Sequence, residues 1–163
     1  MKKVFLGILY WLVQLTWGAF LTIPGLIITA FCIVFLKGKP HRNGFSYIVE
    51  IGGNWGGVCI GATAMCGKYA QEGSSCYNPG WFEHTRRHEF GHSVQQLVLG
   101  PFQLFLVDIA SVIRYWYQRK RTEKGLSNTP YDQAIFEYTA SKYGYYWINK
   151  IENASLEYTF KRK

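Results

Sequence analysis

The chain has 163 residues, a net charge of +8, 48% hydrophobic residues and only 17% charged residues. This length suits one domain with its own core, and the apolar fraction excludes a disordered or collagen-like chain. The charged fraction lies below the roughly 25% that is typical of soluble domains. Because the apolar residues also occur in long blocks, the composition indicates contact with a membrane.

The first apolar block covers residues 4–36, which contain no Asp, Glu, Lys, Arg or His. A signal peptide has a shorter apolar region and a small-residue cleavage site, so we expect a retained membrane segment. As one helix the block would be about 50 Å long, whereas the hydrocarbon core of a bilayer is about 30 Å thick. We therefore expect a hairpin that turns at residues 22–25, around Pro24, with both basic ends cytoplasmic. The alternative is one tilted, proline-kinked span.

The next segments alternate between strand and helix patterns. Residues 45–51 and 55–61 are rich in β-branched and aromatic residues and are separated by glycines, which predicts a β-hairpin with a tight turn. A helix is predicted from residue 81 or 82 to Leu99, where Gly100 and Pro101 end or kink it.

Two further helical stretches follow. Residues 102–113 are nearly all apolar and precede a basic cluster, so we expect them to lie in the membrane interface or to re-enter it. Thr129 and Pro130 have the residue types of an N-cap and a first helical turn. They predict a last helix that begins there and continues towards Asn149.

The helix predicted after residue 81 contains His88, Glu89 and His92 in an H-E-x-x-H pattern. The four-residue spacing places both imidazoles on one helical face, where they can bind one zinc ion. Zinc lowers the pKa of a bound water, and Glu89 can accept its proton as the water attacks a carbonyl. The pattern therefore predicts a hydrolase in which Glu89 is the general base, and peptide-bond hydrolysis is the expected reaction.

A catalytic zinc site needs a third protein ligand. Glu137 is the strongest candidate, because a charged residue on an aromatic-rich helix needs a partner such as a metal. Asp132 is the second candidate, although the helix dipole already explains an acidic residue in a first turn. His84 extends the face of His88, but three successive turns of one helix cannot easily surround a tetrahedral ion.

The segments at residues 88–92 and 137–140 resemble the H-E-x-G-H and E-x-x-A pairing of membrane-embedded gluzincin metalloproteases. Residues 53–57, 92–96 and 99–101 resemble a group of small bacterial membrane proteins, and this similarity extends from the N-terminus to about residue 144. The resemblance implies that the two histidines and the later glutamate bind zinc, with the motif glutamate as general base. The sequence departs from the gluzincin pattern at Ser141, where an aspartate is usual, and this departure puts zinc affinity and catalytic competence in question.

Zinc proteases commonly bind an extended substrate along the sheet edge beside the metal helix. The glycine-rich strand at residues 55–61 fits this role, although its glycines are equally explained by packing against a helix. The predicted substrate contacts are Trp55, Gly56, Gly57 and Val58. The candidates for stabilising the transition state are Tyr131, Tyr138 and Tyr143.

Together these patterns predict an α+β chain, mainly α-helical, with a membrane segment at residues 1–40 and a zincin-like domain at residues 41–163. We expect one Zn²⁺ ion, a site near the cytoplasmic face of a bacterial inner membrane, and free thiols at Cys32, Cys59, Cys66 and Cys76. The expected partners are anionic lipid headgroups and a peptide or protein substrate, because the basic residues flank apolar segments and form no nucleic-acid-binding stripe. The alternative is a non-catalytic membrane protein whose metal site is structural or vestigial and which acts through protein contacts.

Overall fold

The computed structural model describes residues 2–53, 55–67, 79–129 and 134–154, with Pro79 and Trp81 described by their backbone alone. These residues form an α+β fold that is mainly helical and contains a four-stranded sheet, as predicted. The elements are α1 (Lys2–Leu15), α2 (Ala19–Val34), β1 (Lys39–Asn43), β2 (Ser46–Glu50), β3 (Gly57–Ile60), β4 (Thr63–Cys66), α3 (Pro79–Leu99), α4 (Ile109–Glu123) and α5 (Ile135–Glu152). A 3-10 turn (Gly100–Phe102) and a π-helical turn (Leu104–Asp108) connect α3 to α4.

The N-terminal helices α1 and α2 are bent by 101° at residues 16–18. The predicted turn at residues 22–25 is therefore wrong, since Pro24 lies inside α2, where it removes only one backbone hydrogen bond. Gly25 serves packing and not a turn, because a Cβ atom there would lie 2.1 Å from the carbonyl oxygen of Ile60. The small residue thus lets α2 lie directly on the sheet.

None of the helices in the described ranges has, by itself, both the length and the apolar character needed to cross a membrane. Two bent pairs satisfy the length and composition requirement when their members are taken together. They are Lys2–Leu15 with Ala19–Val34, and Phe82–Phe102 with Leu104–Glu123.

Buried hydrogen bonds attach the N-terminal helices to α3. The side-chain amide of Gln14 donates to the carbonyl oxygen of Ser93, and that of Gln96 donates to the carbonyl oxygen of Gly18, both at 2.9 Å. The Thr22 hydroxyl donates to Oε1 of Gln14 at 3.0 Å. Because buried polar groups are costly without partners, these bonds fix the position of α1 and α2 relative to α3.

The sheet has the strand order β1-β2-β4-β3. β1 pairs with β2 and β3 pairs with β4 in antiparallel fashion, whereas β2 and β4 are parallel. The predicted hairpin between residues 45–51 and 55–61 is wrong, because β4 lies between these two segments. β4 is buried along its whole length and therefore lacks the alternating pattern by which a half-exposed strand is recognised. β3 consequently lies at one edge of the sheet.

Helices α3 and α5 cross at backbone contact. A Cβ atom on Gly91 would lie 1.8 Å from the carbonyl oxygen of Ala140, and one on Gly144 would lie 1.8 Å from that of Arg87. Only residues without a side chain permit such an approach. The crossing brings the H-E-x-x-H turns of α3 next to the first turns of α5.

The ends of the two crossing helices were predicted with unequal success. The α-helical part of α3 ends at Leu99 as expected, and Gly100 adopts φ +54° there. The predicted last helix does not run unbroken from Thr129, because Ala134 has an extended backbone and α5 begins at Ile135. Pro130, the predicted first-turn residue, lies outside the described residues.

Candidate metal centre

Two turns of α3 and one turn of α5 bring three metal-ligating side chains together. The Nε2 atoms of His88 and His92 lie 3.1 Å apart, and Oε2 of Glu137 lies 3.0 Å and 3.4 Å from them. All three residues are buried. Ligand atoms bound tetrahedrally to zinc at about 2.0–2.1 Å are separated by about 3.4 Å. The predicted ligands therefore form a group that can hold a metal ion.

Gln95 determines which nitrogen of His92 carries the proton. Its Nε2 atom donates to the carbonyl oxygen of Phe136 at 2.7 Å and to Oγ1 of Thr139 at 2.8 Å. Its Oε1 atom is therefore the acceptor that lies 2.9 Å from Nδ1 of His92. The proton of the neutral imidazole is thus on Nδ1, which leaves the lone pair of Nε2 available to a metal.

Ser141 contacts the ring of the other histidine. Its hydroxyl oxygen lies 2.8 Å from Nδ1 of His88. The same arrangement is repeated one turn earlier in α3 and one turn later in α5, where Nδ1 of His84 lies 3.1 Å from the Tyr145 hydroxyl. Ser141, at the position where the sequence departs from the gluzincin pattern, therefore orients the imidazole through a neutral hydrogen bond. His84 is paired with Tyr145 and lies outside the metal group.

Glu137 is a fully buried carboxylate with two different environments for its oxygens. Oε1 accepts a hydrogen bond from the Ser111 hydroxyl of α4 at 2.5 Å. Oε2 faces the two histidine Nε2 atoms and accepts no hydrogen bond within the described part of the chain. Burial favours the neutral acid, but contact with His88 and His92 outweighs burial and holds the pKa of Glu137 well below its usual range. A buried anionic oxygen among lone pairs is a favourable position for a cation.

The charge balance of the site also favours a cation between the two histidines and Glu137. Burial opposes the charged form of His92, but contact with Glu137 and the negative charge of Glu89 outweigh it and raise the pKa of His92 to about 9. The carboxylates therefore require a positive charge at this position, which either a proton or a metal ion supplies. Two imidazoles and one carboxylate are a donor set that suits zinc.

Glu89 packs against the first residue of the edge strand β3. A Cβ atom on Gly57 would lie 2.4 Å from Oε1 of Glu89 and 2.7 Å from Cγ2 of Thr85. Gly57 therefore leaves the space that the Glu89 carboxylate occupies. Burial raises the pKa of Glu89, an effect that the nearby charges of His88 and His92 partly offset. A carboxylate with a raised pKa is a stronger general base.

The structure adds residues to the site that the sequence reasoning missed. Gln103 donates from Nε2 to the carbonyl oxygen of His92 at 2.9 Å. Asp108 ends the π-helical turn, and burial raises its pKa to about 6 against the opposing influence of His92 and Gln103. Turns of this kind are frequent at functional sites. Asp108 is the only acidic residue in an otherwise apolar stretch, and this is the one signal that the sequence offers.

The role of the candidate tyrosines stays a prediction. Tyr138 lies under the ammonium group of Lys142, and Tyr143 is exposed. Ser141 and Tyr145 follow Glu137 at intervals of four residues and so lie on the same face of α5, whereas Tyr138 and Tyr143 do not. The remaining candidates of the sequence analysis, Tyr131 and Asp132, lie outside the described residues.

Replacing Ser111 with alanine should weaken metal binding by about 10- to 100-fold, because Glu137 loses the donor that orients it. Competition with a chelator of known zinc affinity measures the change. Ser127→Ala, in the exposed turn after α4, is the matched control and should bind metal as the wild type does. Equal affinities of the two variants would contradict an orienting role for Ser111.

No protein-family model matches the chain, and no curated protein or solved structure shows significant similarity to it. The gluzincin resemblance therefore rests on the motif residues alone. The candidate metal centre is defined by its own side chains, in which two helices present His88, His92 and Glu137 to one another beside Glu89.

Proposed function

We propose that the chain is a membrane-associated zinc metallopeptidase. The observation that carries this proposal is the buried group of His88, His92 and Glu137, whose three ligand atoms, Nε2, Nε2 and Oε2, lie 3.0–3.4 Å from one another. Within the described ranges the group has three members. A tetrahedral ion held by three protein ligands keeps one position for water or substrate, which is the arrangement of catalytic zinc sites.

Each residue of the site has a role in this proposal. His88, His92 and Glu137 would hold Zn²⁺, which supplies a water of lowered pKa and polarises a peptide carbonyl. Glu89 accepts a proton and passes it to the leaving nitrogen. Gln95, Ser111 and Ser141 orient the ligands.

The N-terminal helices support membrane association. Their exposed side chains include Val4, Phe5, Ile8, Leu12, Phe20, Ile23, Ile27, Phe31 and Phe35. An apolar surface of this extent on a soluble monomer would be unusual. Basic residues flank the segment on both sides, which favours a bacterial inner membrane with the site on its cytoplasmic side and anionic headgroups as lipid partners.

We propose β3 as the strand to which an extended peptide substrate adds. It is an edge strand, and its first residue Gly57 contacts the candidate base Glu89. Val58 is exposed on this strand, whereas Trp55 is partly buried against the sheet. A peptide paired with β3 would therefore pass close to Glu89.

Gly57→Val should reduce turnover by on the order of 10²-fold while sparing zinc binding, because the new side chain displaces the Glu89 carboxylate. Peptide hydrolysis and zinc content of the same preparations measure both effects. Gly52→Val is the control, since a Cβ atom there meets nothing within 4 Å. Unchanged turnover in Gly57→Val would count against this placement of Glu89 and β3.

Elemental analysis of the detergent-purified protein tests the metal site directly. We expect close to one zinc per chain in the wild type and loss of zinc in both His88→Ala and Glu137→Ala. Loss in His88→Ala alone would remove Glu137 from the ligand set and leave Asp132, which lies outside the described residues, as the candidate third ligand. Absence of zinc from folded wild-type protein, even after zinc is added, would overturn the proposal.

One observation favours a second candidate function, a non-catalytic membrane protein with a structural metal site. His88, His92 and Glu89 are only 8%, 6% and 4% exposed, and structural zinc sites are closed. Such a protein would act through protein contacts, and its function would survive Glu89→Gln.

A further inference from the structure

The two bent helix pairs meet at their bends. The first bend lies at residues 16–18, and the second, of 116°, lies between Phe102 and Leu104. The rings of Trp17 and Phe102 have centroids 6.4 Å apart, and the indole nitrogen of Trp17 donates to the carbonyl oxygen of Val98 at 3.3 Å. Gly100 makes this contact possible, because a Cβ atom there would lie 2.3 Å from the Trp17 ring.

The region around this contact is apolar and exposed. We name it the elbow surface, and each of its side chains is at least 47% exposed. It consists of Trp17, Phe20, Val98, Phe102, Phe105 and Leu106. Large exposed side chains of this kind, gathered from two separate bends, mark an interaction surface.

Both bends lie in stretches of the chain without charged side chains. Residues 4–36 and 93–107 contain no charged side chain or histidine. Basic residues stand beyond these ranges, at Lys2, Lys3, Lys37, Lys39 and Arg42 for the first pair and, on the α4 arm of the second, at Arg114, Arg119, Lys120, Arg121 and Lys124. The α3 arm carries Arg86 and Arg87, which are buried and pair with Glu83. The bends are therefore apolar, and the cationic residues lie towards the far ends of the arms.

Arm length limits how such a structure can enter a bilayer. α1 has 14 residues and α2 has 16, which correspond to about 21 Å and 24 Å. Each is shorter than the hydrocarbon core of about 30 Å. The first bend, with two short arms and basic ends, thus suits entry from one side, with the ends remaining among the headgroups.

We infer that the elbow surface inserts into the hydrocarbon region of an anionic bilayer from one side, with both bends side by side. The basic residues at the ends of the arms bind the headgroups of the same leaflet. This inference rests on the proposed membrane association and is independent of the zinc chemistry. It places α3 with its C-terminal end towards the lipid, and His92 about 10 Å from Leu99 along the helix axis.

Photo-cross-linking of the full chain tests what covers the elbow surface. p-Benzoyl-phenylalanine is introduced at Phe20 or Phe105, and at Tyr146 as an exposed control on α5. The proteins are bound to vesicles of phosphatidylcholine and phosphatidylglycerol, irradiated and analysed by mass spectrometry. We expect lipid adducts at positions 20 and 105 and none at 146.

Other outcomes would overturn the inference. Adducts to a second copy of the chain at positions 20 and 105 would make the elbow surface an oligomer interface. Equal lipid labelling at all three positions would show a different orientation. Binding to vesicles without adducts at positions 20 and 105 would refute the elbow surface and retain membrane association, whereas failure of the wild type to float with vesicles would refute both.

A charge variant tests the headgroup contact separately. Lys120→Gln combined with Lys124→Gln should lower the partition of the protein onto anionic vesicles by on the order of 10-fold. Partition onto vesicles of phosphatidylcholine alone should not change. An unchanged partition onto anionic vesicles would refute the role of the α4 basic residues in headgroup binding.

Discussion

Replacing Glu89 with glutamine will reduce peptide hydrolysis by about 10²- to 10⁴-fold and leave the bound metal in place. Glutamine has nearly the same shape as glutamate and fits the space beside Gly57, but it cannot accept a proton. His88, His92 and Glu137 keep their partners Ser141, Gln95 and Ser111 in this variant. Hydrolysis of a peptide library and zinc content, measured on one preparation, check both parts of the result.

The matched control is Glu123→Gln, which removes an exposed carboxylate of α4 that pairs only with Arg119 among the described residues. It should retain wild-type hydrolysis and zinc. Hydrolysis that persists in a zinc-loaded Glu89→Gln would refute the general-base role. Loss of zinc from that variant would show that Glu89 supports the metal itself.

Replacing Gly144 with alanine will destabilise the protein by about 1–3 kcal/mol and weaken zinc binding. Alanine normally stabilises a helix interior relative to glycine by about 0.5–1 kcal/mol, so the expected sign is the reverse of the helix-propensity effect. The cause is the Cβ atom, which would lie 1.8 Å from the Arg87 carbonyl oxygen and must push α5 away from α3. Glu137 would then move away from the two histidines.

Denaturant unfolding followed by circular dichroism, together with zinc affinity, measures this effect. Tyr143→Ala is the control, since it makes an alanine at the neighbouring, exposed position of α5. It should leave zinc affinity unchanged. A Gly144→Ala variant that is more stable than the wild type would mean that the helices do not cross at backbone contact.

The ligands of the candidate site could be predicted from the sequence, because helical periodicity alone places His88 and His92 on one face. Glu137 could be proposed because a buried charge requires a partner. Gln95 lies on the same helix, yet its role depends on Phe136 and Thr139 of α5, which only the fold brings within reach. Long-range contacts of this kind leave no local pattern.

The fold was less predictable than the ligands for related reasons. Helix α3 and its end at Leu99 follow from local signals that act within a few residues. The position of β4 between β2 and β3 depends on its parallel pairing with β2. A fully buried strand shows no alternation of apolar and polar residues, so the sequence does not reveal this pairing. The bend at residues 16–18 contains no proline, so the sequence signal used to predict the turn is missing there. Pro24 instead lies inside α2, which loses only one backbone hydrogen bond.

The hydrogen bonds between Gln14 and Ser93 and between Gln96 and Gly18 have a consequence for how the chain is made. Gln14 and Gln96 are separated by 82 positions in the sequence. At about 5–20 residues per second, the ribosome needs about 4–16 s to supply the later partner. During this interval the side-chain amide of Gln14 and the carbonyl group of Gly18 must be solvated by water, by headgroups or by a chaperone. Helices α1 and α2 therefore reach their final position only after α3 has been synthesised.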